Sequence, residues 1–302
     1  MKMSRLVVVL ALVLVLAPSA GAGGERVDLV LRDGMVWTVG VFGVRGLDAR
    51  TGRTTYAPQP TSARYDLGVA IAGGALFVAS VENGFTDGEV TRVDLRTHTA
   101  RVVWHRANAS AQYVASGAGG VYVLVGSAAG SSVIRLSPDG RVTGRWSIVD
   151  AGRIAADASG CWVAATHRLV HIGASGVAVE VLTTEGLDDV ATAGGAAWLI
   201  AGGKLIRVDE RTGVVRGLHA GRLLPIGADH ELAVGGGFPW TSSPTGLQRR
   251  SLRTGALGRA APLGGVVDAV AFAGGAVWAA TSSELFRLDP RTLRVTLRVP
   301  LV

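Results

Sequence analysis

The chain has 302 residues, a formal net charge of +7 and a single cysteine. Its basic residues are almost all arginines, and they form neither a long run nor an alternation with aromatics, so we expect no nucleic-acid partner. Because a lone Cys161 cannot form an internal disulfide, burial alone must hold the fold. This thiol beside Trp162 is expected to be buried and inert.

Residues 1 to 22 have the three-part layout of a secretory signal peptide. Lys2 and Arg5 precede an apolar run from Leu6 to Ala17, and small residues lead up to Ala22. Since that run is shorter than the roughly 20 residues that span a bilayer, we predict cleavage after Ala22 rather than a membrane anchor. Removing the segment lowers the net charge from +7 to +5. We expect a secreted or periplasmic product with no transmembrane helix.

Two signatures recur along the rest of the chain. Two small residues, an apolar residue and an aromatic form the first, most clearly in the Gly-Gly-Ala-Val-Trp that ends at Trp278. An Arg-apolar-Asp strand that runs into a turn forms the second, as in Arg287 to Thr292. Successive aromatics lie 40, 45, 40, 36, 42 and 38 residues apart, at Trp37, Phe77, Tyr122, Trp162, Trp198, Trp240 and Trp278.

Each repeat divides into four short strands, and no segment of the mature chain has helical periodicity. Four strands in about forty residues is the period of a β-propeller blade, whereas a β-sandwich needs no repeated signature. We therefore predict an all-β, seven-bladed β-propeller of four-stranded antiparallel blades. It would form a single domain over residues 23 to 302, after the signal peptide over residues 1 to 22.

The two signatures also predict how the propeller is held together. The aromatic of each second strand is expected to pack between neighbouring blades. Every blade is complete in sequence, so side-chain packing between the first and seventh blades would close the ring. Four third strands end in an Asp that is expected to make a turn, because its side chain can bond backbone groups further along. Degenerate copies of this turn follow at Ser137 to Gly140, Gly173 to Gly176 and Ser251 to Gly255.

The signature over Gly274 to Trp278 and Arg287 to Thr292 resembles the bacterial YVTN and quinoprotein-like seven-bladed propellers along the whole mature chain. Leu47 to Tyr56 looks like the repeat of pyrroloquinoline-quinone propellers, but most other copies lack its closing aromatic, so that cofactor is not supported. In size and repeat style the chain is also similar to the virginiamycin B lyases, which open a cyclic peptide with metal help. Their catalytic His and Glu arrangement has no matching motif here.

In six of the seven blades a polar residue stands at or beside the position ten residues before the aromatic, where the inner strand begins. In a closed propeller these residues would ring one mouth of the central channel. They could bind a ligand or a divalent cation or act as acid and base, or they could only solvate a water-filled channel. The predicted ligand-binding residues are Asp66, Gln112, Arg153, Asp188, His230 and Asp268, with Asp189 next to them.

Long connections on the same face, over residues 57–66, 80–89, 104–112 and 219–231, are expected to form rim loops that bind partners. The opposite face, with its short and similar turns, is expected to be a plain support. His167 and His171 are the only close histidine pair, and an ordinary polar pair is the more common outcome than a metal site.

No catalytic motif is present, so whether the protein is an enzyme stays open. The sequence favours an exported, monomeric binding or interaction module that recognises a small polar ligand, peptide or protein at the channel mouth and rim loops. The alternative is a metal-assisted lyase or hydrolase at the same site. No cofactor is supported by a motif, although a divalent cation would suit the alternative.

Overall fold

The protein is described here by a computed structural model that covers residues 27–40, 43–56, 64–82, 87–173, 175–183, 186–202, 204–218, 231–243 and 245–301. The predicted signal peptide and His230 lie outside the described residues, as do the side chains of Arg64 and Asp66. All the regular elements of these ranges are β-strands. Within them, no helix is long and apolar enough to cross a membrane.

The strands of the described residues fall into seven consecutive groups of four, which we call units 1 to 7. Within each group every strand pairs antiparallel with the next strand along the chain. Units 1 to 3 contain β1 (Asp28–Arg32), β2 (Met35–Val39), β3 (Arg45–Asp48), β4 (Thr54–Tyr56), β5 (Arg64–Ala72), β6 (Ala75–Glu82), β7 (Asp87–Asp94), β8 (Ala100–Ala107), β9 (Ala109–Gly117), β10 (Gly120–Ser127), β11 (Gly130–Leu136) and β12 (Val142–Ser147).

Units 4 to 7 repeat the same order. They contain β13 (Ala151–Asp157), β14 (Gly160–Ala165), β15 (Arg168–Gly173), β16 (Gly176–Leu182), β17 (Leu187–Thr192), β18 (Ala196–Ala201), β19 (Lys204–Asp209), β20 (Val215–Leu218), β21 (Leu232–Gly235), β22 (Phe238–Ser243), β23 (Gly246–Arg250), β24 (Leu257–Pro262), β25 (Ala269–Ala273), β26 (Ala276–Ala280), β27 (Glu284–Leu288) and β28 (Val295–Pro300).

The first strands of the units form a closed ring. Each of β1, β5, β9, β13, β17, β21 and β25 contacts the first strand of the next unit, and β25 contacts β1. A ring of four-stranded antiparallel sheets whose first strands surround the centre is a β-propeller, so the predicted fold class is confirmed.

Hydrophobic clusters lie at the junctions between units, as predicted. Each cluster of the described residues joins two consecutive units, and the seven signature aromatics are at most 5% exposed. At the junction of units 7 and 1, Trp278 and Leu285 pack with Val27 and Leu29. Side-chain packing between the first and last units therefore closes the ring, as the sequence predicted.

The Asp residues that end the third strands make the predicted turns. The backbone N–H of the Thr three residues further on donates to Oδ1 of Asp48, Asp94, Asp209 and Asp289, at 2.7 to 2.9 Å. Hydrogen bonds from these Thr residues are the main cause that lowers the pKa of each of the four carboxyl groups. The carboxylates are therefore part of the scaffold.

The prediction of a long loop over residues 104–112 is wrong. Strand β8 continues to Ala107 and β9 begins at Ala109, so Asn108, with a φ of 56°, is the whole connection. A single parallel pair between Asp87 and Ala109 then joins units 2 and 3 into one eight-stranded sheet. Gly88 permits this approach, because a Cβ there would lie 2.7 Å from the Ala111 nitrogen.

Candidate functional site

The first strands are irregular at the point where the sequence placed the channel mouth. In β13, Ala151 pairs with Ala165 and Arg153 pairs with Ala164, which leaves Gly152 without a partner in the ladder. The same one-residue shift occurs in three other first strands and leaves out Leu67, Gln112 and Asp188. Such a β-bulge changes where the following side chains point. Residues nine positions before the aromatic, rather than ten, therefore hold the equivalent places in the ladder.

Side chains from units 3, 5 and 6 surround the guanidinium of Arg153, which belongs to unit 4. Its Nε lies 3.8 Å from Asp189 Oδ1, and one Nη lies 3.9 Å from Glu231 Oε1. Its Cζ lies 4.4 Å from the centre of the Tyr113 ring, close enough for a cation–π contact. The Arg153, Asp189 and Glu231 side chains are only 15%, 8% and 14% exposed. We call these four residues, all nine positions before their aromatics, the Arg153 cluster.

Backbone hydrogen bonds fix the acidic members of this cluster. Asp189 Oδ2 accepts a 2.6 Å bond from the backbone N–H of Leu232 in the next unit. The Glu231 N–H donates to Ser242 Oγ at 2.9 Å, and Glu231 O accepts from the Ser242 N–H at 3.0 Å. An aspartate at this position can therefore join neighbouring first strands while it faces the arginine.

The same bond between units recurs at Asp28 of unit 1. Its Oδ2 accepts a 2.9 Å bond from the backbone N–H of Val69 in β5. Sequence reasoning missed Asp28, Tyr113 and Glu231 as site residues because it counted ten residues back from the aromatic. Counting nine would have found all three.

The predicted site residues lie in different environments, and only some of them approach the Arg153 cluster. Arg153 lies at the centre of the cluster, Asp188 is exposed on a bulge, and Gln112 donates to Ser110 Oγ at 3.0 Å. Asp268 is half-buried just before β25, and its backbone N–H donates to Ala280 O at 2.8 Å. Asp66 pairs with Ser80 through its backbone.

The charged side chains described at the channel mouth are mainly acidic. At the positions nine and ten residues before the aromatics, they include Arg153 and the carboxylates of Asp28, Asp188, Asp189, Glu231 and Asp268. The whole chain, in contrast, has a net charge of +7. Among the described residues at these positions, carboxylates therefore outnumber guanidinium groups, and an excess of carboxylates can attract a positively charged group.

The histidine pair does not form a metal site. His167 is exposed, whereas His171 is buried and stacks on Trp162 with ring centres 4.5 Å apart. Among the residues that the structure describes, no three His, Cys, Asp or Glu side chains are grouped so that they could hold a metal ion. Cys161 is fully buried, as predicted, and burial raises the pKa of its thiol far above the usual range.

A second polar cluster lies around His171, between units 4 and 5. His171 Nε2 is 3.2 Å from Ser159 Oγ and 3.8 Å from Glu210 Oε1, and Ser159 Oγ donates to Asp157 Oδ1 at 2.6 Å. Burial lowers the pKa of His171 and raises that of Glu210. The serine and the glutamate both approach Nε2. A nucleophilic triad instead needs the acid at Nδ1, so this geometry does not make Ser159 a nucleophile.

Comparisons with known proteins confirm the fold and go no further. No family model and no curated protein matches the sequence. Among solved structures, the chain is similar to BamB from Moraxella catarrhalis, with a TM-score of 0.58, 12% identity, and coverage of 90% of this chain and 87% of that one.

Two further solved structures have the same kind of similarity. A chain of the Mitotic Checkpoint Complex has a TM-score of 0.65 at 13% identity, with 85% and 84% of the two chains covered. The dihydro-heme d1 dehydrogenase NirN has a TM-score of 0.60 at 16% identity, with 92% of this chain and 64% of that one covered. At these identities the similarity shows a shared β-propeller fold alone.

Proposed function

We propose that the protein is an exported binding module whose channel mouth and rim recognise a polar ligand, peptide or protein segment that carries a positive charge. The observation that supports this most is the acidic mouth around the Arg153 cluster. Propellers in solved assemblies, such as the Mitotic Checkpoint Complex, are consistent with an interaction module. Export rests on the signal-peptide pattern of residues 1 to 22, and membership of the YVTN and quinoprotein-like group rests on the repeat signatures.

The Arg153 cluster supports binding because it presents fixed charges on a rigid frame. The guanidinium engages carboxylates from two units, and the exposed Asp188 lies on the bulge next to one of them. Preorganised groups lose little conformational entropy when a ligand binds, which favours affinity. No observation favours the metal-assisted lyase or hydrolase over this function.

Fluorescence anisotropy with a labelled oligo-arginine peptide tests the proposal, with an oligo-glutamate peptide of the same length as the reverse charge. The wild type should bind the cationic peptide despite its own positive charge, and less tightly as salt is added. The double variant Asp188→Asn, Asp268→Asn should weaken binding by about fivefold, because two local charges are lost.

Glu180→Gln is the matched control. Glu180 is an exposed carboxylate of β16 in the outer part of unit 4, and it pairs with Arg168 at 3.4 Å. Its loss changes the net charge by one without touching the channel mouth. If neither peptide binds, or if Glu180→Gln weakens binding as much as the double variant, the mouth is not the binding surface.

A further inference from the structure

A cavity of about 500 Å³ lies at the junction of units 7 and 1, on the face opposite the channel mouth. The turns between β1 and β2, β3 and β4, and β25 and β26 surround it. Its walls combine apolar groups, among them Leu31, Met35 and Trp278, with the guanidinium-bearing side chains of Arg32, Arg50 and Arg287. Its volume lies within the range of small-molecule sites, roughly 300 to 1,000 Å³.

At the junction of units 6 and 7 the space equivalent to this cavity is filled. At the junction of units 6 and 7, Phe272 lies so close to Gly235 that a Cβ there would be 2.2 Å from its ring. In the repeat, Leu31 takes the place of Phe272, and Ala273 takes the place of Gly235. A Cβ at Gly274 of the cavity wall would meet nothing within 4 Å. Leucine is smaller than phenylalanine, so the space that Phe272 fills at the junction of units 6 and 7 stays open here.

The arginine beside the cavity also differs from its counterparts. In unit 6, Arg249 pairs with the signature Trp240, and its Nη1 donates to Pro290 O at 3.3 Å in the turn of the next unit. In unit 2, Arg92 Nε likewise donates to Pro138 O at 2.9 Å. Each of these bonds anchors a guanidinium to the backbone of the turn in the next unit.

Arg287 occupies the same place in unit 7, where it pairs with Trp278 and faces the turn of unit 1. Within the described residues its guanidinium makes no hydrogen bond or ion pair to that turn or to any other group. A guanidinium has five N–H donors, so Arg287 has donors available toward the cavity.

The aspartates of the cavity wall are already engaged. Asp33 pairs with Arg32 at 3.3 Å, and Oδ1 of Asp48 accepts bonds from the N–H groups of Arg50 and Thr51 in its own turn. The lining as a whole carries three arginines and two aspartates. A cavity with a positive edge and an apolar wall suits an anion on an apolar body, because planar guanidinium groups match carboxylates in shape and charge.

We propose that this junction cavity binds a small organic acid, in which a carboxylate contacts Arg287 and an apolar or aromatic body packs against Leu31, Met35 and Trp278. The site is independent of the channel mouth. It lies on the other face of the propeller and takes a ligand of the opposite charge, so either proposal can fail without the other.

Isothermal titration calorimetry with 2-naphthoate tests the proposal. 2-Naphthamide is the neutral counterpart, and acetate has the carboxylate but lacks the aromatic rings. The wild type should bind 2-naphthoate at least tenfold more tightly than either control compound. Arg287→Gln should weaken binding by about tenfold or more, as expected when a charged hydrogen-bond partner is removed. Arg207→Gln is the matched control, since Arg207 holds the same place opposite Trp198 in unit 5.

A second variant tests the cavity without changing its charge. Leu31→Phe combined with Ala273→Gly reproduces the filled junction of units 6 and 7, so it should keep the thermal transition of the wild type and lose 2-naphthoate binding. Four results would overturn the proposal: no binding to the wild type, equal binding of the amide, equal weakening by the two arginine variants, or unchanged binding to the filled variant.

Discussion

The two faces of the propeller are built from the same repeat, yet they differ in how closely the units resemble one another. We call the face opposite the channel mouth the turn face. There the same backbone bond occurs in four units, at Asp48, Asp94, Asp209 and Asp289. At the channel mouth, the position nine residues before the aromatic holds Asp, Gly, Tyr, Arg, Asp, Glu and Ala in turn.

The difference follows from what each position contacts. A turn aspartate bonds its own unit, so every unit can meet the requirement in the same way. A mouth residue contacts other units, and four identical residues could not form the Arg153 cluster. Repetition therefore serves the scaffold, whereas specific chemistry arises where units meet unequal partners.

The largest expected effect is a loss of stability at the junctions between units, which support both faces. Trp240 is fully buried against unit 7, so Trp240→Ala should lower the free energy of unfolding by about 3–5 kcal/mol. Urea denaturation measures this loss. Trp146→Ala, at a half-buried tryptophan of β12, should cost distinctly less. Trp146 packs at the edge of the junction of units 3 and 4, so equal losses would mean that full burial at a junction does not set the cost.

The next effect concerns the mouth alone. Arg153→Met should cost about 2 kcal/mol, because it leaves Asp189 and Glu231 close together without their cation. Adding Asp189→Asn should recover about half of that loss, since one of the two facing charges is removed. A double-mutant cycle by urea denaturation measures the coupling, and strictly additive losses would show that the cluster is not an electrostatic unit.

A smaller effect distinguishes the buried His171 of the turn face. Because burial lowers its pKa, the unfolded chain takes up a proton at a higher pH than the folded protein does. Stability should therefore fall as the pH drops below about 6.5. The neighbouring Asp157 and Glu210 act on the same group.

His171→Phe is the variant that tests this effect. It keeps the stack on Trp162 and should flatten the dependence of stability on pH in that range. Thermal melts between pH 5 and pH 8 (about the window in which histidine titrates) measure it. An unchanged slope in the variant would assign the dependence to other groups.

The smallest effect is expected at a single turn of the repeated face. The lowered pKa of Asp289 means that its carboxylate stabilises the fold above the pKa of the unfolded chain, about 3.9, and loses this contribution as the pH falls through the folded value. Asp289→Asn should therefore reduce the acid sensitivity slightly. Acid titration followed by circular dichroism checks this, and Asp139→Asn in a turn of different sequence is the comparison.

The sequence was sufficient for the scaffold because its signatures act locally or in every unit alike. An aromatic such as Trp278 recurs in every unit, and glycine pairs and turn aspartates recur in several, so together they predict strands, junctions and turns. The sequence predicted the channel mouth less well. A bulge shifts the register there by one residue, so Tyr113 pairs in the ladder and Gln112 does not. In β9 no glycine marks the bulge, whereas Gly152 is itself the bulged residue of β13.

Two other features depend on contacts between units that a single chain pattern does not express. Residues 104–112 have polar residues typical of a loop, yet they continue two strands because unit 3 packs closely on Gly88 of unit 2. The cavity beside Arg287 is lined by Leu31 and Ala273, which come from the two units that meet at the ring closure. The expectation of a plain support on that face did not allow for such an exception.

The closure of the ring by side-chain packing has a mechanical consequence. Every other junction is crossed by the covalent chain, so separating two units there must also extend a connecting segment. Units 7 and 1 are held by Trp278, Leu285 and their partners, and the described residues exchange no strand between these two units. A pulling force applied to the two ends of the propeller would act on this junction first. Units 7 and 1 would separate there while the sheets on either side stay intact.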